Sequence, residues 1–128
     1  MARMAQITPF VMVSDLDRGI AFYTDILGFR AGSIMPGLYG FLRRDSVAIR
    51  LLQTSPDTDL SDERQERLVY IDVDDVDALY ADLAPKLSQL PQGRVRPPFN
   101  QDYGQREFHV SDEDCTLFLF GQEIDTAT

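Results

Sequence analysis

One short acidic phrase occurs twice in this chain, and it limits the fold more than any other feature. Val13-Ser14-Asp15-Leu16-Asp17 returns as Val73-Asp74-Asp75-Val76-Asp77, 60 positions later. In each copy an apolar run ends, a carboxylate suited to capping a helix follows, and an apolar pattern of helical spacing begins. A repeat of that period in 128 residues implies two copies of one supersecondary unit. A chain of this length buries roughly two-thirds of the surface it exposes when unfolded, enough for a core without staples.

The residues around each copy define the unit. Residues 7–13 read as a strand, and the helix that follows carries Leu16, Ile20, Phe22, Tyr23, Ile26 and Leu27 until Gly28 stops it. Three strands come next, near 30–35, 38–43 and 46–53, with Pro36-Gly37 and Arg44-Asp45 as the turns. The polar stretch from Ser55 to Gln65 reads as a linker. The second helix runs through Leu79, Tyr80, Leu83 and Leu87, with Pro85 expected to distort or end its regular part. Three more strands are expected near 93–97, 105–110 and 115–121, broken by Pro97-Pro98 and by Ser111-Asp112-Glu113-Asp114. Each half is βαβββ. The fold class is α+β, one domain over 1–128, with module 1 at about 5–54, the linker at about 55–66 and module 2 at about 67–124.

Strand alternation separates two faces. Val11, Val13, Val47, Ile49, Leu51, Val69, Ile71, Val73, Phe108, Val110, Phe118 and Phe120 form an apolar set suited to packing under the helices. The opposite set is mixed: Thr8, Phe10, Met12, Ala48, Arg50, Leu52, Leu68, Tyr70, Asp72, Glu107, His109, Leu117 and Leu119.

Composition excludes several functions. Twelve basic residues against 21 acidic ones, a net charge of −9, supply no positive footprint for nucleic acid. The same balance draws cationic small molecules toward the surface, although solubility alone accounts for it. The apolar run Pro9 to Val13 is too short for a membrane span and no basic-plus-apolar leader precedes it, so a cytoplasmic location is expected. A single cysteine, Cys115, has no partner for a disulfide or a thiolate metal pair and reads as an inert packed thiol.

The run Phe22-Tyr23-Thr24-Asp25-Ile26-Leu27-Gly28-Phe29 after Val13-Ser14-Asp15-Leu16 resembles the vicinal oxygen chelate superfamily, which includes glyoxalases, dioxygenases and bleomycin-resistance proteins. The later runs Tyr103-Gly104-Gln105-Arg106-Glu107-Phe108 and Asp112-Glu113-Asp114 before Leu117-Phe118-Leu119-Phe120 extend the likeness. It covers roughly residues 7–121, both halves in order. One departure is Cys115, where the family's last turn usually carries glycine, and the turn is expected to be rebuilt or shifted by a residue.

The resemblance implies two curved mixed sheets whose concave, mixed face is a ligand cup, and a homodimer that completes it. It also tests for metal. In metal-dependent relatives four His, Gln or Glu ligands come from two symmetric strand pairs, and those positions fall here on Thr8, Arg50, Leu68 and Leu119. No such set can hold zinc, iron, nickel or manganese, so no cofactor is expected. The candidate ligand-binding residues are Thr8, Phe10, Arg50, Tyr70, Phe99, Tyr103, Arg106, Glu107 and His109, and none is assigned to catalysis. Glu107 and His109 share a strand face, which permits acid–base work, ligand hydrogen bonding or a structural role. Arg50 either meets a ligand carboxylate or phosphate or closes an internal salt bridge to Asp72 or Glu107. The leading expectation is metal-independent binding or sequestration of a small organic molecule, with antibiotics among the candidates. A metal-dependent lyase or dioxygenase and a non-catalytic regulatory module are the alternatives.

Overall fold

A computed structural model describes residues 1–62 and 64–124; Glu63 of the expected linker and residues 125–128 lie outside the described residues. Both helices begin where the repeated phrase places them. Asp15 accepts a hydrogen bond from the Arg18 amide at 3.0 Å and Asp75 from the Ala78 amide at 3.0 Å, so each satisfies one of the donors that a helix start leaves free.

Module 1 comprises β1 (Phe10–Val13), α1 (Leu16–Ala21) continuing into a π-helical turn (Phe22–Ile26), β2 (Arg30–Met35), β3 (Tyr39–Arg44) and β4 (Val47–Gln53). Module 2 repeats the order as β5 (Arg67–Asp72), α2 (Val76–Leu87), β6 (Val95–Asn100), β7 (Gln105–Ser111) and β8 (Thr116–Glu123). The sheets run β1-β4-β3-β2 and β5-β8-β7-β6, each with one parallel pair, β1 with β4 and β5 with β8. The α+β class and the tandem βαβββ plan are both present, and the sheets curve without closing.

The first strand is shorter than expected and starts at Phe10. Pro9 has no N–H to give, so the ladder opens with its carbonyl accepting from the Arg50 amide at 3.0 Å. Pro85 does not end α2. It stands on the exposed side, where the Ala81 carbonyl it leaves unbonded faces water, and the helix continues to Leu87. Pro97-Pro98 is likewise no break. Both lie inside β6, an edge strand, where the register slips between Arg96 and Phe99 and no ladder donor is required. The polar linker also holds a buried residue, Leu60, whose carbonyl accepts from Arg67.

All twelve residues of the apolar face lie in or against one core shared by both modules; Val47, Val69 and Val73 are its partly buried members. The modules are latched across that core. The π-helical turn buries Phe22 and Tyr23 side by side, and the Tyr23 hydroxyl donates to the buried Asp112 at 2.5 Å. Asp112 also accepts from the Asp114 and Thr116 amides, both at 2.9 Å. Burial pushes its carboxyl above the ordinary aspartate range despite these donors. Ser14 donates to Asp114, and Arg18 pairs with Glu113, on the same seam.

Cys115 corrects one expectation. Its thiol is exposed rather than packed. Cys115 also adopts φ +70°, the left-handed conformation that glycine takes most readily, so the turn before β8 forms without one. No helix among the described residues is long and apolar enough to cross a membrane.

Candidate ligand-binding face

The faces turned away from the core carry the candidate site. In module 1 the register sets Phe10 opposite Arg50 and Arg50 opposite Phe41, so the guanidinium stands between two aromatic residues on neighbouring strands. Arg50 lies 5.1 Å from the Phe41 ring centroid and 6.0 Å from that of Tyr39, and donates to the Tyr39 hydroxyl at 2.5 Å. Neither internal salt bridge expected for it forms: Arg50 meets neither Asp72 nor Glu107. Arg43 approaches the same Phe41 ring at 5.6 Å. Thr8 precedes β1 and accepts from the Gln6 side chain.

In module 2 the equivalent row is Tyr70, Leu119 and His109. Its centre is Glu107, 0% exposed on the face where an unpaired charge would be costly. Its carboxylate is satisfied instead. His109 Nε2 donates at 2.8 Å, Tyr103 at 2.6 Å and the Gln101 amide at 3.1 Å. An ionised carboxylate only accepts, so His109 carries its proton on Nε2. Burial alone would push the Glu107 carboxyl up, but donation from His109, Tyr103 and Gln101, with the Tyr70 hydroxyl close by and itself donating to Gln105, outweighs it and holds the group below the ordinary range. The same proximity acts in reverse on Tyr70, whose phenol is pushed well up by burial and by Glu107.

Phe99, paired with Glu107 across β6 and β7, sets its ring edge-on to His109 at 5.1 Å, and the Arg96 guanidinium covers it at 3.5 Å from the centroid. Five candidates, Tyr70, Phe99, Tyr103, Glu107 and His109, are thus brought into one cluster. Phe10 and Arg50 form the row on the other module. Arg106 joins neither. It lies on the opposite side of β7 from Glu107 and grips Asp77 in the first turn of α2 at 3.0 Å, with a further bond to Asn100.

Several members of the face went unread in the sequence. Tyr39, Phe41 and Arg43 alternate along β3 in step with Arg50, a period-two signal that was there to extend. Gln101 sits in a loop with no periodicity. Gly121 is informative for what it lacks: a Cβ there would fall 2.0 Å from the Tyr70 hydroxyl and 3.1 Å from Glu107 Cγ. The bare backbone makes room for the Tyr70–Glu107 pair.

The four positions that the resemblance assigns to metal offer no ligand set. Leu68 and Leu119 have no donor atom, Arg50 is a cation already bonded to Tyr39, and the Thr8 hydroxyl is bonded to Gln6. Among the described residues no group of three or more His, Cys, Asp or Glu side chains is placed to hold one. A hollow of about 590 Å³ runs between the start of β4 and β5 and touches Tyr70 but not Phe99, Tyr103 or His109. Within one chain, the two faces remain open.

Tandem βαβββ modules with a shared core and two outward faces define the class of protein. The chain belongs to the glyoxalase/bleomycin resistance protein/dioxygenase superfamily, whose sequence profile matches residues 3–120. Among solved structures it is similar to the bleomycin-binding protein of Streptomyces verticillus in complex with copper(II)-bleomycin, with 22% identity, TM-score 0.77, and 94% of this chain and 97% of that one covered. A bleomycin-binding protein complexed with bleomycin matches at 23% identity and TM-score 0.78, covering 94% and 99% of the two chains. Lactoylglutathione lyase from Agrobacterium tumefaciens matches at 17% identity and TM-score 0.68, covering 94% and 95%. No curated protein matches the sequence.

Proposed function

We propose that this chain binds a small organic molecule, without a metal ion, in a cup that a second copy completes. The observation that carries the reading is the Glu107 cluster: a fully buried carboxylate whose donors Tyr103, His109 and Gln101 come from a loop and a strand, walled by Tyr70 and Phe99. The carboxylate is spent on these donors; what it offers an arriving ligand is Tyr103 and His109 held in place beside aromatic walls, at little ordering cost. The same faces leave Phe10 61%, Leu68 59% and Tyr103 60% exposed. Side chains of that kind on an open sheet face are normally covered, and a second copy supplies the missing wall. Two of the similar structures are bleomycin-binding proteins, which favours sequestration over turnover. The exposed, unpaired Cys115 suits a reducing compartment such as the cytoplasm.

The test combines three measurements on purified protein. Sedimentation velocity should give a dimer, reduced to monomer by Phe10→Asp or Leu68→Asp. Elemental analysis after incubation with Ni, Zn, Mn and Fe should give no stoichiometric metal. A thermal-shift screen of small aromatic compounds should yield hits whose NMR perturbations map to Tyr70, Tyr103 and His109. One tightly bound metal per chain, or hits mapping only to the helix side, would overturn the reading.

A further inference from the structure

We propose that Arg50 and Arg43 form the recognition point for the negative group of a flat organic acid, whose ring lies against Phe41, Tyr39 and Phe10. The inference rests on the ligand-binding reading above and names the class of ligand. In a chain with 21 acidic residues, both guanidiniums stand on one outward sheet face, and among the described residues neither has a carboxylate within salt-bridge distance. Their partners are aromatic: Phe41 lies beside both, and Tyr39 receives one Arg50 N–H. A guanidinium has five N–H donors in a planar fork, and only one Arg50 side-chain bond, to Tyr39, is formed, so donors remain.

The chemistry discriminates by charge. A carboxylate or phosphate monoester accepts two parallel bonds from such a fork, and a ring attached to it can stack where the guanidiniums already do. A cation is opposed by both guanidiniums, which already carry positive charge beside the rings it would approach. The overall charge of −9 does not reverse this, because charges farther away than a Debye length of about 8 Å are screened at physiological salt. Glu107 does not compete for the arginines, since its acceptors are taken by His109, Tyr103 and Gln101.

The experiment titrates the protein with four naphthalene derivatives of one shape: the carboxylate, the monophosphate ester, the neutral carboxamide and the methylammonium. Binding is followed by NMR and calorimetry at two salt concentrations. Both anions should bind, weakening with salt, and the ammonium should bind at least about tenfold more weakly. Whichever anion is tighter identifies the source, a carboxylic acid or a phosphate ester. Arg50→Gln should weaken the anions about tenfold and leave the carboxamide unchanged, with Arg50→Lys intermediate because it keeps charge but not the fork. Circular dichroism verifies that each variant is folded. An ammonium as tight as the carboxylate overturns this proposal while leaving the binding reading intact, and so does unchanged carboxylate affinity in both Arg50→Gln and Arg43→Gln. No binding by any of the four overturns both.

Discussion

Glu107→Gln tests the candidate site at its centre, because the substitution keeps shape and removes only charge and one acceptor. In the native chain Oε1 accepts from His109 and Gln101, and Oε2 from Tyr103. With the amide oxygen turned toward His109, its NH2 group faces the Tyr103 hydroxyl, which must rotate to accept. Three charge-assisted bonds become neutral, and a hydrogen bond to a charged group is worth about 1.5–3 kcal/mol against about 1 for a neutral one. A net loss of about 2 kcal/mol at neutral pH is expected. An unfolding entropy of about 2.1 cal/mol/K per residue makes that a fall of about 7 °C in Tm. The pH dependence is the sharper test. Glu107 has its folded pKa below the ordinary glutamate value of 4.5, so its stabilisation is complete above the unfolded pKa and is lost as pH falls through the folded one. The Tm gap between wild type and Glu107→Gln, measured by calorimetry, should be constant from pH 8 to about 5.5 and shrink on further acidification. A variant as stable as wild type at pH 7, or a gap unchanged down to pH 3, would show that the donors are not holding an anion.

Other consequences can be measured on the same protein. Tyr23→Phe removes one donor from Asp112 and should cost about 1.5–3 kcal/mol in urea denaturation. Asp112 titrates above the ordinary aspartate value of 3.8 in the folded state, so its ionisation costs stability as pH rises from the unfolded pKa through the folded one; Asp112→Asn should abolish that slope. Cys115→Gly relieves a left-handed residue at φ +70° and should stabilise by about 0.5–1 kcal/mol, raising Tm by a few degrees. The native thiol should react with a water-soluble disulfide reagent at close to the rate of a free thiol, since Cys115 is exposed. A silent native thiol would contradict that placement.

The core was legible because apolar alternation has a strict period. All twelve side chains assigned inward from the sequence lie in or against the core. Proline was misread twice, and for one reason. Its effect depends on whether the missing N–H was needed, and at Pro85 and Pro97-Pro98 the exposed helix side and the edge strand needed none. The site was half legible. Alternation could bring Glu107 and His109 together, since they share a strand, but not Tyr103 or Gln101, which a loop carries back onto the same carboxylate. Arg106 was read from its loop's likeness rather than its parity. Being odd-and-even neighbour to Glu107, it had to face α2, where Asp77 meets it.

Comparison of the two modules explains why the interior is predictable and the face is not. Register for register, Val11 and Ile71, Val13 and Val73, Ile49 and Phe118, and Leu51 and Phe120 occupy equivalent inward places. Three of the four pairs differ in size and all keep one character, as a shared core demands of both copies. One pair shows the compensation directly: where module 2 buries Phe108, module 1 has Gly40, and Ile20 from α1 fills the space. On the outward side the equivalent rows read Phe10-Arg50-Phe41 and Tyr70-Leu119-His109. Cation stands against aliphatic and phenyl against imidazole, so no packing requirement links the copies there. Divergence confined to one face of a duplicated unit marks the face where something other than folding sets the residues. In this chain the outward face of one module holds the satisfied carboxylate and that of the other holds arginines with aromatic rather than acidic partners, so the two copies have diverged toward different polar chemistry on the same side of the unit.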